Sequence, residues 1–352
     1  MFHLILLAVL HLAPLSPEAP SHTPQLAASQ DVVALAYGAG KSIFVAVSTN
    51  QGKDFSQPVK VAEAAILPLT RHRGPRIVIS NGTIIVTAVT GKAEATGTHA
   101  HGLPSDGDLF AWRSTDGGTS WSAAVRINDV LAAPREGLHT LAADGKGRLF
   151  AAWLDLRNEG TRLYGAWSDD SGTSWSTNTK LYESPDGTIC QCCHPTAAFA
   201  SNGDLDVMFR NALGGARDLY LLSSTPNKQS FGKVQKLGQG TWMLNACPMD
   251  GGGIAHADGV AVTAWRRDRE IYLATPAKPE TRLGEGQDVA LAVSGGSIYA
   301  LWIQSSQLVS WVDGKTETLA AKAAMPALVA LPKGGVLAAW EQDRGIAVSS
   351  LK

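Results

Sequence analysis

The hydrophobic positions of the chain fall into short apolar segments, separated by polar turns that contain glycine, and several of the segments end at a tryptophan. Such segments are typical of β-strands rather than helices. A unit of two segments around one turn recurs along the sequence. It occupies residues 24–38, 75–89, 139–153, 195–209, 249–265, 288–302 and 326–340. The pattern predicts a series of similar sheets in one large β domain.

A second repeat follows three of these units and reads Ser-x-Asp-x-Gly-x-x-aromatic. Residues 114–121 and 168–175 match it fully, and residues 48–55 match it with Asn50 in place of Asp. In such a turn the carboxylate accepts backbone N–H groups, glycine supplies a positive φ, and the aromatic ring packs beneath the hairpin. We therefore expect a structural role, without ligand chemistry, for Asp116, Gly118, Trp121, Asp170, Gly172 and Trp175.

These turns are identified as Asp-boxes, and the chain resembles the sialidase-like, or BNR-repeat, β-propellers. The resemblance implies an all-β fold, a single β-propeller of four-stranded blades covering residues 23–352. Six blades are usual in that family, but seven are favoured here because seven units can be counted. In a propeller the Asp-boxes lie on one face, and the loops entering each blade and joining its middle strands lie on the other.

The first 22 residues are interpreted separately. Residues 2–15 form an uncharged apolar run, followed by a short proline-rich stretch, which predicts a secretory leader over residues 1–22; a buried strand is the alternative. The protein is then expected to be secreted or periplasmic, with no membrane span once the leader is removed, and to be a monomer. With 30 basic and 31 acidic side chains the net charge is −1, which argues against nucleic acid as a partner.

Charged residues and all four cysteines gather in the loops predicted for one face of blades 2 to 5. The resemblance implies that an arginine triad binds a substrate carboxylate there, and it makes Arg73 or Arg76, Arg210 and Arg266 the candidates. It also makes Asp106 or Asp108 the candidate catalytic acid. A bracing role for such arginines, as in pairs Asp155/Arg157 and Arg217/Asp218, is the alternative.

The catalytic tyrosine and glutamate of the family are not found at the expected positions: His194 stands where the glutamate would be and Met325-Pro326 where the tyrosine would be. The sequence therefore predicts binding of an anionic small-molecule or glycan ligand. If the protein is an enzyme, we expect a glycoside hydrolase of the sialidase type.

The cysteines allow a second interpretation of the site. Cys190, Cys192 and Cys193 precede His194, and Cys247 precedes the next blade. An exported chain with four cysteines would ordinarily form disulfides, and Cys247 could bridge to the triplet. Alternatively the thiols and His194, with Met249, could bind copper or zinc or form a redox site, on a propeller that is not a glycosidase. His99 and His101 are further candidates for a ligand or an acid–base group.

Overall fold

The computed structural model describes residues 9–96, 102–225, 230–275 and 278–351. Within these ranges the chain is all-β, and its strands form seven four-stranded antiparallel sheets. The sheets are the blades of one β-propeller, so both the fold class and the count of seven blades predicted from the sequence are confirmed. Across the same ranges, no helix is long and apolar enough to span a bilayer.

The strands follow the chain blade by blade, except that β1 (Leu10–Leu12) is the outer strand of blade 7. Blade 1 contains β2 (Ser21–Ser29), β3 (Val32–Ala39), β4 (Ser42–Ser48) and β5 (Val59–Glu63). Blade 2 contains β6 (Arg76–Ser80), β7 (Thr83–Thr90), β8 (Asp108–Ser114) and β9 (Val125–Arg126). Blade 3 contains β10 (His139–Ala143), β11 (Leu149–Asp155), β12 (Arg162–Ser168) and β13 (Thr179–Tyr182). Blade 4 contains β14 (Thr196–Phe199), β15 (Leu205–Arg210), β16 (Leu219–Ser224) and β17 (Gln235–Lys236). Blade 5 contains β18 (Gly252–Ala257), β19 (Val260–Arg267), β20 (Glu270–Ala274) and β21 (Thr281–Glu285). Blade 6 contains β22 (Gln287–Ser294), β23 (Ser297–Gln304), β24 (Gln307–Val312) and β25 (Lys315–Ala321). Blade 7 contains β26 (Ala324–Ala330), β27 (Val336–Gln342) and β28 (Gly345–Leu351).

The N-terminal strand completes blade 7. Leu10 pairs with Val348 and Leu12 with Ile346, and both leucines pack against the apolar cluster shared by blades 7 and 1. Residues 10–12 lie inside the leader predicted from the sequence, and β2 begins at Ser21. Cleavage of that leader stays a prediction. Cleavage after residue 12 would remove β1, the fourth strand of blade 7.

The core consists of apolar layers between neighbouring blades. The second strand of a blade is buried on both faces, as in β7 and β11, which explains why these segments read as continuous apolar runs. Clusters of buried side chains join successive blades around the whole ring, and Trp153, Trp302 and Trp340 are among the largest fully buried residues. Each blade is stabilised by its neighbours on both sides.

The repeated turns link the third and fourth strands of their blades. In blade 2 the Asp116 carboxylate accepts hydrogen bonds from the Ser114 hydroxyl at 2.7 Å and the Ser120 amide at 3.0 Å, and Gly118 has a φ of +89°. Asp170 makes the same bonds in blade 3, to Ser168 and Ser174. These turns follow the C-terminal ends of β8 and β12, whereas the charged loops lead into the N-terminal ends of the same strands. The turns and the charged loops therefore lie on opposite faces of the propeller.

The innermost strands β2, β6, β10, β14, β18, β22 and β26 surround a central channel of about 610 Å³. One end of the channel opens among the loops that carry arginine, histidine and cysteine, which we call the mouth. The mouth comprises residues 70–75, 133–138, 190–195, 211–218, 240–251, 266–270 and 286–288.

Candidate functional site at the channel mouth

A loop between blades 1 and 2, residues 70–75, reaches across the mouth. Arg71 and His72 have φ values of +55° and +65°, and Gly74 has a φ of +114°. This left-handed backbone is unfavourable for residues with side chains, and it turns both side chains toward blades 4, 5 and 6. The Arg71 guanidinium lies 2.8 Å from the Met249 sulfur, and the His72 ring stacks on His194 with centroids 4.1 Å apart. The loop thus joins opposite sides of the ring.

His72 is the centre of a buried polar cluster. Its Nε2 atom lies 2.7 Å from the Asp288 carboxylate, although the two residues are 216 positions apart in the sequence. Asp250 accepts the Asp288 amide at 3.1 Å, and its second oxygen has no hydrogen-bond partner among the described residues. His72, Asp250 and Asp288 present ligand or acid–base atoms within 4.8 Å of one another. Two imidazoles and two carboxylates in this arrangement can hold and exchange a proton.

Burial controls the protonation of this cluster. Desolvation, followed by repulsion from the Asp288 charge, raises the pKa of Asp250 above its usual range. Desolvation also holds the pKa of His194 well below its usual value, and the charges of His72, Arg76 and Arg210 act in the same direction. His194 is therefore neutral at neutral pH, and its buried Nδ1 atom has no hydrogen-bond partner among the described residues.

Three of the four arginines predicted to bind a ligand are buried braces. The Arg73 Nε atom donates to the Glu136 carbonyl at 2.6 Å, and Arg76 donates to the carbonyls of Pro75 and His72. Complete burial lowers the pKa of Arg76 to about 10. Arg210 is 1% exposed and donates to several backbone carbonyls of the mouth. All three side chains are buried and already bonded to carbonyls, so ligand binding by Arg73, Arg76 and Arg210 stays a prediction.

Arg71, Arg217 and Arg266 are mouth arginines that retain free donors, as are Arg135 and Arg269. Arg71 is exposed, Arg217 and Arg266 are half-buried, and none of the three forms an ion pair with a carboxylate of the described residues. The guanidinium groups of Arg210 and Arg266 both lie over the Trp242 ring, at 5.2 Å and 5.4 Å from its centroid respectively. Of the predicted triad, Arg266 is thus the member that is placed to meet a ligand.

The two predicted acids brace loops. Asp106 is exposed and accepts the Lys92 and Ala93 amides, each at 2.9 Å, and these backbone bonds lower its pKa. Asp108 is buried and accepts from Asn128 at 2.7 Å and from the Ala132 amide at 2.8 Å. A catalytic acid needs a raised pKa and a transferable proton, so Asp106 is poorly suited to that role. Both residues line a separate cavity beside Phe110 and Trp112.

The cysteines form one group at the mouth. The Cys190 sulfur lies 2.7 Å from that of Cys193 and 3.7 Å from that of Cys192, and Cys247 lies near the Cys192 thiol. All four thiols are free in the structure; those of the triplet are buried and that of Cys247 is exposed. The side chain of Met249 packs against the triplet. His194 lies instead at the polar cluster, stacked on His72.

Sequence reasoning did not single out Asp288, because the loops of blade 6 looked short and unremarkable. The available signal was the polar pair Gln287-Asp288 directly after Gly286, at the start of an innermost strand. Asp288 has a φ of +58° and lies at a register shift in β22, which turns its carboxylate into the mouth. His99 and His101 lie outside the described residues.

A hydrogen-bonded tyrosine–glutamate pair does occur, but in blade 5. The Tyr272 hydroxyl donates to Glu270 at 2.7 Å, and this bond is the main cause of the raised pKa of Tyr272. A raised pKa keeps the hydroxyl protonated, which is the opposite of what an activated nucleophile requires.

No family model matches the chain, and no curated protein matches it significantly by sequence. Solved structures do match. An ulvan lyase, a polysaccharide lyase, has a TM-score of 0.57 at 10% identity, over 96% of this chain and 95% of that one. A leech intramolecular trans-sialidase has a TM-score of 0.56 at 12% identity, covering 97% and 69%. A sialidase from Trypanosoma rangeli gives 0.52 at 12% identity, covering 98% and 59%. The chain therefore has the sialidase-like β-propeller fold.

Proposed function

We propose that this protein is an exported β-propeller that binds an acidic carbohydrate, one carrying carboxylate or sulfate groups, at the mouth over blades 2 to 5. The observation that carries the proposal is the group of mouth arginines without carboxylate partners among the described residues, which includes Arg71, Arg217 and Arg266. Arginine binds planar oxyanions through paired, charge-assisted hydrogen bonds, so these side chains suit such a ligand.

The ligands of structures with the same fold support this choice of chemistry. The ulvan lyase was solved with -[GlcA(1-4)Rha3S]-, the leech enzyme with 2,7-anhydro-Neu5Ac, and the Trypanosoma rangeli enzyme with sialic acid. Each of these is an acidic sugar. Binding is proposed ahead of hydrolysis here, because Asp106 and Asp108 are engaged as loop braces.

Binding to a panel of polysaccharides tests the proposal. The panel contains polyglucuronate, dextran sulfate and neutral dextran, measured by calorimetry at low and moderate salt. The acidic polymers should bind with an affinity that falls as salt rises, and dextran should not bind. Arg217→Gln and Arg266→Gln should each weaken binding by about tenfold, the value of one charge-assisted bond.

The matched control is Lys146→Gln, which removes one positive charge from an exposed turn on the opposite face. Its affinity should equal that of the unchanged protein. Equal loss of affinity in Lys146→Gln would indicate a diffuse charge effect and would overturn the assignment to the mouth. Equal binding of dextran would overturn the acidic ligand class.

A further inference from the structure

All of the cysteines in the chain meet at one place, although they come from two different connections. Cys190, Cys192 and Cys193 belong to the connection between blades 3 and 4, and Cys247 to that between blades 4 and 5. The thiols of the triplet lie within 4.8 Å of one another, and Cys247 lies near the Cys192 thiol but outside that 4.8 Å group. The ring architecture itself creates this meeting, because both connections end at neighbouring innermost strands.

The spacing of the sulfurs suits a shared cation. Thiolates bound to one ion at about 2.3 Å lie about 3.8–4.0 Å apart. The sulfurs of Cys190 and Cys192 are 3.7 Å apart, and Cys193 would have to move by about 1 Å from its position 2.7 Å from Cys190. The adjacent residues Cys192 and Cys193 could bridge to each other only through a strained ring. A common ion uses all three sulfurs of the triplet; the competing arrangement pairs Cys190 with Cys193 and Cys192 with Cys247 as disulfides.

The donor set is soft. Met249 packs its thioether side chain against the triplet, and Arg71 holds the Met249 sulfur at 2.8 Å. Burial raises the pKa of the Cys193 thiol, but the positive charges of Arg73 and Arg210 act on the Cys192 and Cys193 thiols respectively and would offset part of the negative charge of bound thiolates. Thiolate and thioether ligands together select Cu(I) among the common metal ions.

One side of the cluster is open to solvent. The triplet thiols are buried, but Cys247 is exposed and Met249 is half-buried. Structural zinc sites are closed by four ligands, whereas an open side permits a metal to enter and leave by ligand exchange.

From these observations we propose that Cys190, Cys192 and Cys193 form an exchangeable Cu(I) site at the mouth, with Cys247 and Met249 as the entry ligands. Binding replaces the three thiol protons: three S–H groups and one Cu⁺ give one copper tris-thiolate and three H⁺, with no change of oxidation state. Of the proposed carbohydrate ligands, Arg71 contacts Met249, whereas Arg217 and Arg266 form no hydrogen bond with the cysteines among the described residues.

Copper transfer under anaerobic, reducing conditions tests the site. The full-length protein is titrated against the Cu(I)–bicinchoninate complex, and proton release and X-ray absorption are measured in parallel. We expect one Cu(I) per chain, release of about three protons, and coordination by sulfur alone. Cys192→Ser should abolish uptake. Met249→Leu should slow uptake, while the control Met243→Leu, an exposed methionine in the same connection, should not.

Other results would overturn the proposal. One such result is that the reduced protein takes no copper from bicinchoninate. Another is that it binds Zn²⁺ tightly but takes up no Cu(I). If Cys192→Ser does not fold, Cys247→Ser replaces it and should slow transfer; unchanged transfer would refute the entry role. The Cys→Ser variants should still bind polyglucuronate, which separates failure of this site from failure of the proposed function.

Discussion

Arg210 offers the sharpest test of how the mouth is built, because sequence reasoning assigns it to a ligand and the structure assigns it to the scaffold. Arg210 is 1% exposed, and its guanidinium donates to the carbonyls of Asp250 at 3.0 Å, Arg217 at 2.5 Å and Arg266 at 2.9 Å, with a longer bond to Gly251 at 3.4 Å. These bonds connect the middle loop of blade 4 to both the entry and the middle loop of blade 5. Arg210 therefore ties two blades together.

Replacing Arg210 by methionine should destabilise the protein strongly. Each hydrogen bond from a charged donor contributes about 1.5–3 kcal/mol, and the replacement removes three of ordinary length besides the longer one to Gly251. Part of this free energy is regained because the methionine side chain packs in the same space and because the cost of burying the guanidinium charge disappears. We expect a net loss of about 3–5 kcal/mol in the free energy of unfolding. Urea unfolding followed by tryptophan fluorescence measures this, provided that the slope of the transition is unchanged.

Arg266→Met is the matched control. Arg266 is half-buried and makes one carbonyl bond, to Asp268 within its own turn at 2.6 Å. Arg266→Met should lower the free energy of unfolding by less than about 1 kcal/mol, but it should weaken the binding of polyglucuronate. If Arg210→Met does not fold, Arg210→Lys keeps the charge without the planar fork and should still be destabilised. An Arg210 variant of normal stability that fails to bind polyglucuronate would refute this reasoning.

Three further predictions concern pH, turn geometry and the N-terminus. Burial lowers the pKa of His139 to about 3, so as the pH falls the imidazole takes up a proton in the unfolded chain before it does so in the folded chain. His139 should therefore lower the free energy of unfolding by about 1.4 kcal/mol per pH unit between pH 6 and pH 4. Urea titrations of His139→Gln should show a shallower dependence on pH. A Cβ on Gly118 would lie 2.8 Å from the Val47 side chain, whereas a Cβ on Gly117 would meet nothing within 4 Å. Both glycines have a positive φ, so both alanine variants carry the same kind of backbone strain, and Gly118→Ala should lower the melting temperature more than Gly117→Ala because of the added clash. Equal shifts in melting temperature would contradict this. The mass of the exported protein should show loss of residues 1–22, and a chain retaining residues 10–12 would refute that boundary.

The sequence by itself determined the fold. Short apolar segments, turn glycines and the Ser-x-Asp-x-Gly repeat are local signals, and the hydrogen bonds of Asp116 and Asp170 lie within a few residues of each aspartate. A blade is specified by contacts within one repeat and with its neighbours, so counting repeats was sufficient to predict seven blades. The same positional logic predicted that the Cys190 segment and Cys247 would occupy the same face.

Only the tertiary structure decided the roles of the residues at the mouth. Arg210 and Arg266 are both loop arginines in the sequence, but one is buried among carbonyls and the other is left half-exposed over Trp242. Likewise, His72 meets Asp288 from the far side of the ring, 216 residues away. The physical reason is that strand patterns arise from neighbours along the chain. Which polar group is satisfied, buried or free depends on where loops from several blades converge.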